Sequence, residues 1–183
     1  MEAHAGGDGE AFEALFHRYV HRLFGFLYHM TGDREAAQDL VQEVFLRVHR
    51  ARGLYDSSRP FRPWLFGIAV NARRDLAKSW AWKLARRTER LLEGGREPEA
   101  PASAAPTAAA EANELGARLR EEMAALPEDQ RQAILLHDLN GLTAAEVGEL
   151  MDAPLGTVLS WLRRGRAALK GRLEAKGGKG AWA

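Results

Sequence analysis

Residues 142–166 read LTAAEVGELMDAPLGTVLSWLRRGR, two short helical patterns joined by a tight turn, the second ending in three arginines. Thr143 and Glu146 form the T-x-x-E capping pattern, in which each side chain satisfies a backbone amide that a new helix leaves unpaired. Val147 and Leu150 then face a core. The stretch MDAPLG stops this helix, because Pro154 disfavours a helical conformation at Ala153 and Gly156 loosens the following turn. A second helix begins at once. At about 100° per residue, Leu155, Val158, Leu162 and Leu169 fall on one side, and Thr157, Ser160, Arg163, Arg164 and Lys170 on the other. One face packs and one is free. A helix-turn-helix needs that division, since its second helix enters the major groove N-terminus first and offers short polar and cationic side chains to bases and phosphates. A structural hairpin with solvated arginines is the competing reading of this segment alone.

Working outward, a helix is expected near residues 115–125 and another after Pro127 through EDQRQAILLHDL. Asn140 and Gly141 end it, both being suited to the left-handed conformation that closes helices. With the helical pair, this makes a four-helix domain over 115–175. Upstream, residues 93–114, EGGREPEAPASAAPTAAAEANE, have no large apolar residue and carry one basic against five acidic side chains. Such a stretch reads as a flexible linker, because ordered loops of this length are uncommon within a domain.

Before the linker, Phe12, Leu15, Phe16, Tyr19, Val20, Leu23, Phe24 and Leu27 recur at three- and four-residue spacing, the signature of a core-facing helix. Asp33 caps a second helix that carries Leu40, Val41, Val44, Phe45 and Val48. GLYDSSRPFRP interrupts, and a third helix starts near Pro63 and runs toward Leu92, in one piece or two. No alternating strand pattern competes. The fold class is therefore all-α, two small helical domains at 10–92 and 115–175 joined by the linker.

The net charge of +1 over 183 residues hides an uneven distribution. Residues 73–90 hold seven basic and two acidic side chains, and residues 163–179 seven and one. Two basic patches imply two phosphate-contacting surfaces. The chain has no cysteine, so a disulfide framework and a thiolate metal site are excluded. No apolar run approaches the roughly 20 residues that span a bilayer, and MEAHAGGDGE lacks the features of a signal peptide, so a cytosolic location is expected.

His17 and His21 lie four apart but lack the Cys, HExxH or ExxH partners a metal site needs, and are read as a solvated or partner-facing edge. No phosphate loop or nucleophile elbow appears, so neither catalysis nor a cofactor is expected. In AQDLVQEVFLRV, Asp39 and Glu43, like Gln38 and Gln42, flank the apolar stripe. This suits either a solvated face or a polar-rimmed docking face for another helix. The segment RPFRPWLFGIAVNARRDLAKSWAWK mixes Phe61, Trp64, Trp80 and Trp82 with Arg62, Arg73, Arg74, Lys78 and Lys83. Trp64 belongs in part to the core, yet aromatics interleaved with cations also bind unpaired nucleic acid, the rings stacking on bases and the cations holding the backbone. An unstacked base needs a pocket.

At these residues the chain resembles a known family. AQDLVQEVFLRVHRA, FRPWLFGIAVNARRD and LPEDQRQAILLHDLNGLTAAEVGELMDAPLGTVLSWLRRGRAALK are similar to the core-binding, promoter-melting and promoter-recognition regions of extracytoplasmic-function sigma factors of bacterial RNA polymerase. They occur in the family's order and at its spacing. The resemblance implies sigma region 2 at 10–92 and region 4 at 115–175, with no region 3 domain between. It implies that Asp39, Leu40, Gln42, Glu43 and Phe45 dock on the β′ clamp helices of core polymerase. Phe61, Trp64, Asn71, Arg74 and Lys78 would melt the −10 element and capture a flipped base. Thr157, Ser160, Arg163 and Arg164 would read the −35 element, with region 4 seated on the β flap. The linker would follow the RNA exit path. An anti-sigma factor is a further implied partner; a cofactor, a metal and membrane insertion are not.

The reading is then of a non-enzymatic specificity subunit of the bacterial cytoplasm, and its rival is a conventional dimeric helix-turn-helix regulator with a helical sensor domain. One departure stands out. Where the family commonly has GTVRSR, this chain has GTVLSW, which places Leu159 on the exposed face and Trp161 at its flank, and an apolar contact between Leu159 and a thymine methyl becomes feasible.

Overall fold

A computed structural model describes residues 9–92 and 119–176, with backbone alone from 80 to 92. The expected linker at 93–114 and the C-terminal tail with Trp182 lie outside the described residues. Helices α1 (Gly9–Thr31) and α2 (Arg34–Arg50) pack together across a two-residue turn. Gly32 supplies the turn's positive φ of 72°, and the Asp33 carboxylate accepts from the amides of Glu35 at 2.8 Å and Ala36 at 3.2 Å, the expected N-cap. Leu23 and Leu27 are fully buried, joined by Phe26 and Met30, which the spacing argument had omitted, while Phe12, Phe16, Tyr19, Val20 and Phe24 are half-buried. From α2 the whole expected stripe, Leu40, Val41, Val44, Phe45 and Val48, enters the core with Ala37.

A short 3₁₀ turn (Arg52–Leu54) leads to helix α3 (Phe61–Leu92), which is continuous over 32 residues. It starts two residues before Pro63, which therefore sits in the first turn, where a missing N–H breaks no helical hydrogen bond. Leu65, Phe66, Ala69, Val70 and Ala72 close the first core, the Phe66 ring meeting Phe26 edge-on at 5.4 Å.

The second unit comprises α4 (119–124), α5 (Glu128–Ile134), α6 (Ala144–Met151) and α7 (Leu155–Lys176). Helix α5 widens into a π-turn at Leu135–Leu139, a feature periodicity did not reveal. Asn140 departs from expectation: its φ is −108°, and its buried side chain donates to the Leu135 carbonyl at 2.7 Å, so it satisfies the widened turn while Gly141, at φ 68°, alone turns left-handed. The capping box is present, the Glu146 amide donating to Thr143 Oγ1 at 3.2 Å and the Thr143 amide to Glu146 Oε2 at 2.7 Å. Helix α6 ends on Asp152, at φ 52°, and Gly156 lies inside α7 instead of in the turn. Val158 and Leu162 are buried as expected, but Leu155 is 51% exposed. Val158, one turn on, lies against α6, where a Cβ on Gly148 would stand 3.7 Å from its Cγ2. Further along, a Cβ on Gly165 would come within 2.6 Å of Ile134 Cδ1, so glycine sets the close crossing of α5 and α7.

The two units also touch. Leu150 of α6 is half-buried against Gly67 of α3, and Arg73 of α3 pairs with Glu128 of α5.

Candidate nucleic-acid interface

Three polar faces stand on three different helices. On α3, Trp64, Gly67, Asn71, Arg74 and Lys78 share one side through three- and four-residue spacing, opposite the buried Leu65, Ala69 and Ala72. Asn71, Arg74 and Lys78 are exposed, and Trp64 is half-buried. Trp64 belongs to an aromatic cluster, with Tyr55 at 5.0 Å and Phe61 at 5.7 Å between ring centroids, and Phe61 in turn meets Tyr19 at 5.4 Å. Tyr55 was missed by sequence reasoning because it lies in a loop, where periodicity carries no signal. Beside the cluster opens a cleft of about 560 Å³, walled by Tyr55, Arg59 and Trp64 on one side and by Glu146, Glu149 and Leu150 of α6 on the other. Asp56, at its edge, is held below the usual carboxylate range by the Ser58 hydroxyl and amide. Arg73 leaves this face for Glu128, and Trp80, Trp82 and Lys83 lie where only backbone is described.

On α2, Asp39 and Gln42 are exposed and Glu43 is half-buried, whereas Leu40 and Phe45 are core residues, each 5% exposed. The latter two therefore set the face from beneath. Arg47 Nε donates to Glu43 at 2.7 Å and its Nη1 to Asp75 of α3 at 2.8 Å; these bonds, Glu43 first, raise its pKa. A groove of about 480 Å³ results, rimmed by Asp39, Glu43 and Asp75 and floored by Leu40 and Leu76. Asp75 joins only through tertiary packing.

On α7, Arg163 and Arg164 are exposed and have no carboxylate partner among the described residues; Arg164 Nε donates to its own helix at Ser160 O, 3.4 Å. Arg166 differs, for its guanidinium donates to both oxygens of Asp138 at 2.9 and 2.5 Å, which raises its pKa. Thr157 and Ser160 are half-buried beside the arginines, Leu159 is 51% exposed, and Trp161 packs partly against the core. His17 pairs with Glu13 at 3.5 Å on the exposed side of α1.

Two family models match this chain, one over each helical domain. The model for sigma-70 region 2 covers residues 15–83, and that for sigma-70 region 4 covers residues 116–169. The chain belongs to the sigma-70 family. Among curated relatives, it is 36% identical to the RNA polymerase sigma factor CarQ of Myxococcus xanthus over 93% of each chain. It is 32% identical to the ECF RNA polymerase sigma-E factor of Escherichia coli K12, covering 92% of this chain and 89% of that one. Among solved structures, CnrH in complex with the cytosolic domain of CnrY superposes with a TM-score of 0.67 at 25% identity, over 94% of each chain. These relatives place the chain in the extracytoplasmic-function branch. It acts in transcription initiation as a sigma factor, binding core RNA polymerase and promoter DNA. The rival reading as a conventional regulator is not favoured, because the region 2 match covers the segment that would have served as its sensor domain. Among the described residues, no helix is long and apolar enough to cross a membrane.

Proposed function

We propose that the three faces divide the work of promoter-specific initiation. Asp39, Gln42 and Glu43, held in place by Leu40 and Phe45 beneath them, dock on the β′ clamp helices of core polymerase. Trp64 and Phe61 stack on a base drawn from the −10 element, while Asn71, Arg74 and Lys78 hold the unpaired strand. Thr157 and Ser160 approach base edges of the −35 element and Arg163 and Arg164 its phosphates, with region 4 seated on the β flap. The working division is 10–92 for docking and melting, 93–114 for the span between elements, and 115–175 for −35 reading. Phosphodiester chemistry belongs to the polymerase, so the chain is not itself an enzyme, and it works in the bacterial cytoplasm. By similarity to CnrH, which is held by the cytosolic domain of CnrY, a protein antagonist of the anti-sigma type is a further partner.

The observation that carries this reading is the segregation of charge: carboxylates rim the α2 groove, and among the described residues Arg74 and Lys78 of α3 and Arg163 and Arg164 of α7 are exposed cations with no carboxylate partner. A protein helix with guanidinium groups suits the first and nucleic acid the other two. The test is a pull-down of the purified chain with core RNA polymerase, followed by run-off transcription on a genomic promoter library. Stable binding and new start sites are expected; dimeric DNA binding by the chain alone, without polymerase binding, would overturn the proposal.

A further inference from the structure

Leu155 and Leu159 are each 51% exposed and stand one turn apart at the N-terminal end of α7, the end that enters a major groove. Successive residues of an α-helix turn by about 100°, so the two lie within about 40° of each other, and Arg163, a further turn on, continues the same row. The row beside it begins with Gly156 and Ser160, both small, and a Cβ added to Gly156 would meet nothing within 4 Å. Single exposed leucines are ordinary on a protein surface. Two in one row, leading into an arginine with no carboxylate partner among the described residues, give the outer surface of α7 an apolar edge beside a bare lane.

We propose that Leu155 and Leu159 together form a reading edge for thymine methyl groups, so that the −35 element of this chain's promoters carries two thymines within two base-pair steps of each other. The proposal rests on the assignment of α7 to the −35 element. Thymine is the one base that displays a methyl group in the major groove. Leucine neither donates nor accepts a hydrogen bond, so against guanine, adenine or cytosine it removes water from polar base edges and gives nothing in return. Four residues of helix rise about 6 Å, and base pairs stack about every 3.4 Å, which puts the two leucines over pairs no more than two steps apart. Gly156 leaves the lane beside them open, so the helix backbone can approach the bases closely.

Charge favours duplex DNA over a protein surface as the occupant. From Leu155 to Arg172, α7 carries no acidic residue, and Arg163 and Arg164 are exposed just beyond the leucines. Affinity and reading are thereby divided between neighbours in one row. The arginines neutralise phosphates whatever the sequence and give binding a steep salt dependence, whereas burial of a methyl group against leucine discriminates between bases with little dependence on salt.

The experiment lets the full chain on core polymerase select −35 duplexes from a randomised library, and an element with two thymines within two base-pair steps is expected. Each thymine is then replaced by deoxyuridine, which removes the methyl group and keeps the base pair. Each replacement should weaken binding by about fourfold, the worth of one buried methyl group, and that ratio should hold as salt is raised. Leu159→Ala should abolish the penalty at one thymine and Leu155→Ala at the other, both variants keeping the wild-type salt slope. A selected element without such thymines, deoxyuridine without effect, or penalties that persist in both variants overturns the apolar edge. So does an altered affinity for core polymerase or an altered oligomeric state in place of the altered methyl ratio, which would assign the leucines to a protein partner. The underlying assignment fails separately: unimpaired −35 binding by Arg163→Ala with Arg164→Ala would remove α7 from the DNA, whatever deoxyuridine does.

Discussion

Arg163, Arg164 and Arg166 look interchangeable in the string RRGR, but the fold gives them different tasks, and salt dependence can separate them. Arg163 and Arg164 face solvent with no carboxylate partner among the described residues, whereas Arg166 is held by both oxygens of Asp138. Each cation that neutralises a phosphate adds about 0.9 to the slope of log affinity against log salt. Arg163→Ala with Arg164→Ala should therefore flatten the slope by about 1.8, so that over a fourfold rise in salt the wild type loses roughly 12-fold more affinity than the double variant. Arg166→Ala should leave the slope unchanged. Its pair with Asp138 is solvent-screened, and losing it should change stability by less than about 1 kcal/mol. The assay is binding of the chain on core polymerase to a duplex −35 fragment, titrated at several salt concentrations, with thermal unfolding of each variant alongside. A slope change for Arg166→Ala equal to that of Arg163→Ala would refute the argument, since it would mean that the Asp138 pair does not withhold Arg166 from DNA.

Asp39→Arg with Glu43→Arg should abolish polymerase binding while circular dichroism stays helical, because Asp39 is exposed and Glu43 lies at the rim of the groove; normal binding by the folded double variant would release that surface from its role. Thr143→Ala removes one half of the capping box and should cost about 1 kcal/mol in thermal unfolding, and Glu146→Ala should add a further loss because the bond from the residue 143 amide survives the first substitution. Leu159→Arg should change promoter selectivity in run-off transcription by roughly tenfold at a thymine-bearing −35 position, consistent with about 1–3 kcal/mol for a good base contact; equal output and selectivity would deny Leu159 a reading role.

How much was legible follows the range of each interaction. Capping chemistry is local, so Asp33 and the Thr143–Glu146 box could be named from residues three or fewer apart. The α2 stripe was equally plain, since a buried face repeats with the helix itself. Misreadings arose where a neighbouring helix decided the outcome. Leu155 fits the apolar side of α7 by angle, yet it is 51% exposed, whereas Val158 is buried beside Gly148 of α6. Asn140 has the composition of a left-handed stop, but a π-turn upstream left a carbonyl for its side chain to satisfy, and a helical backbone followed.

Two helical domains, their order, the acidic face of α2 and the cationic faces of α3 and α7 were determined by the sequence alone, because periodicity and charge are properties of neighbours along one helix. What only tertiary structure decided lies between helices: Tyr55 beside Trp64, Asp75 completing the acidic groove, Arg166 drawn to Asp138, and Leu150 seated on Gly67. Each of these joins residues from separate elements, and no pattern within a single helix records which side chain another will bring to meet it.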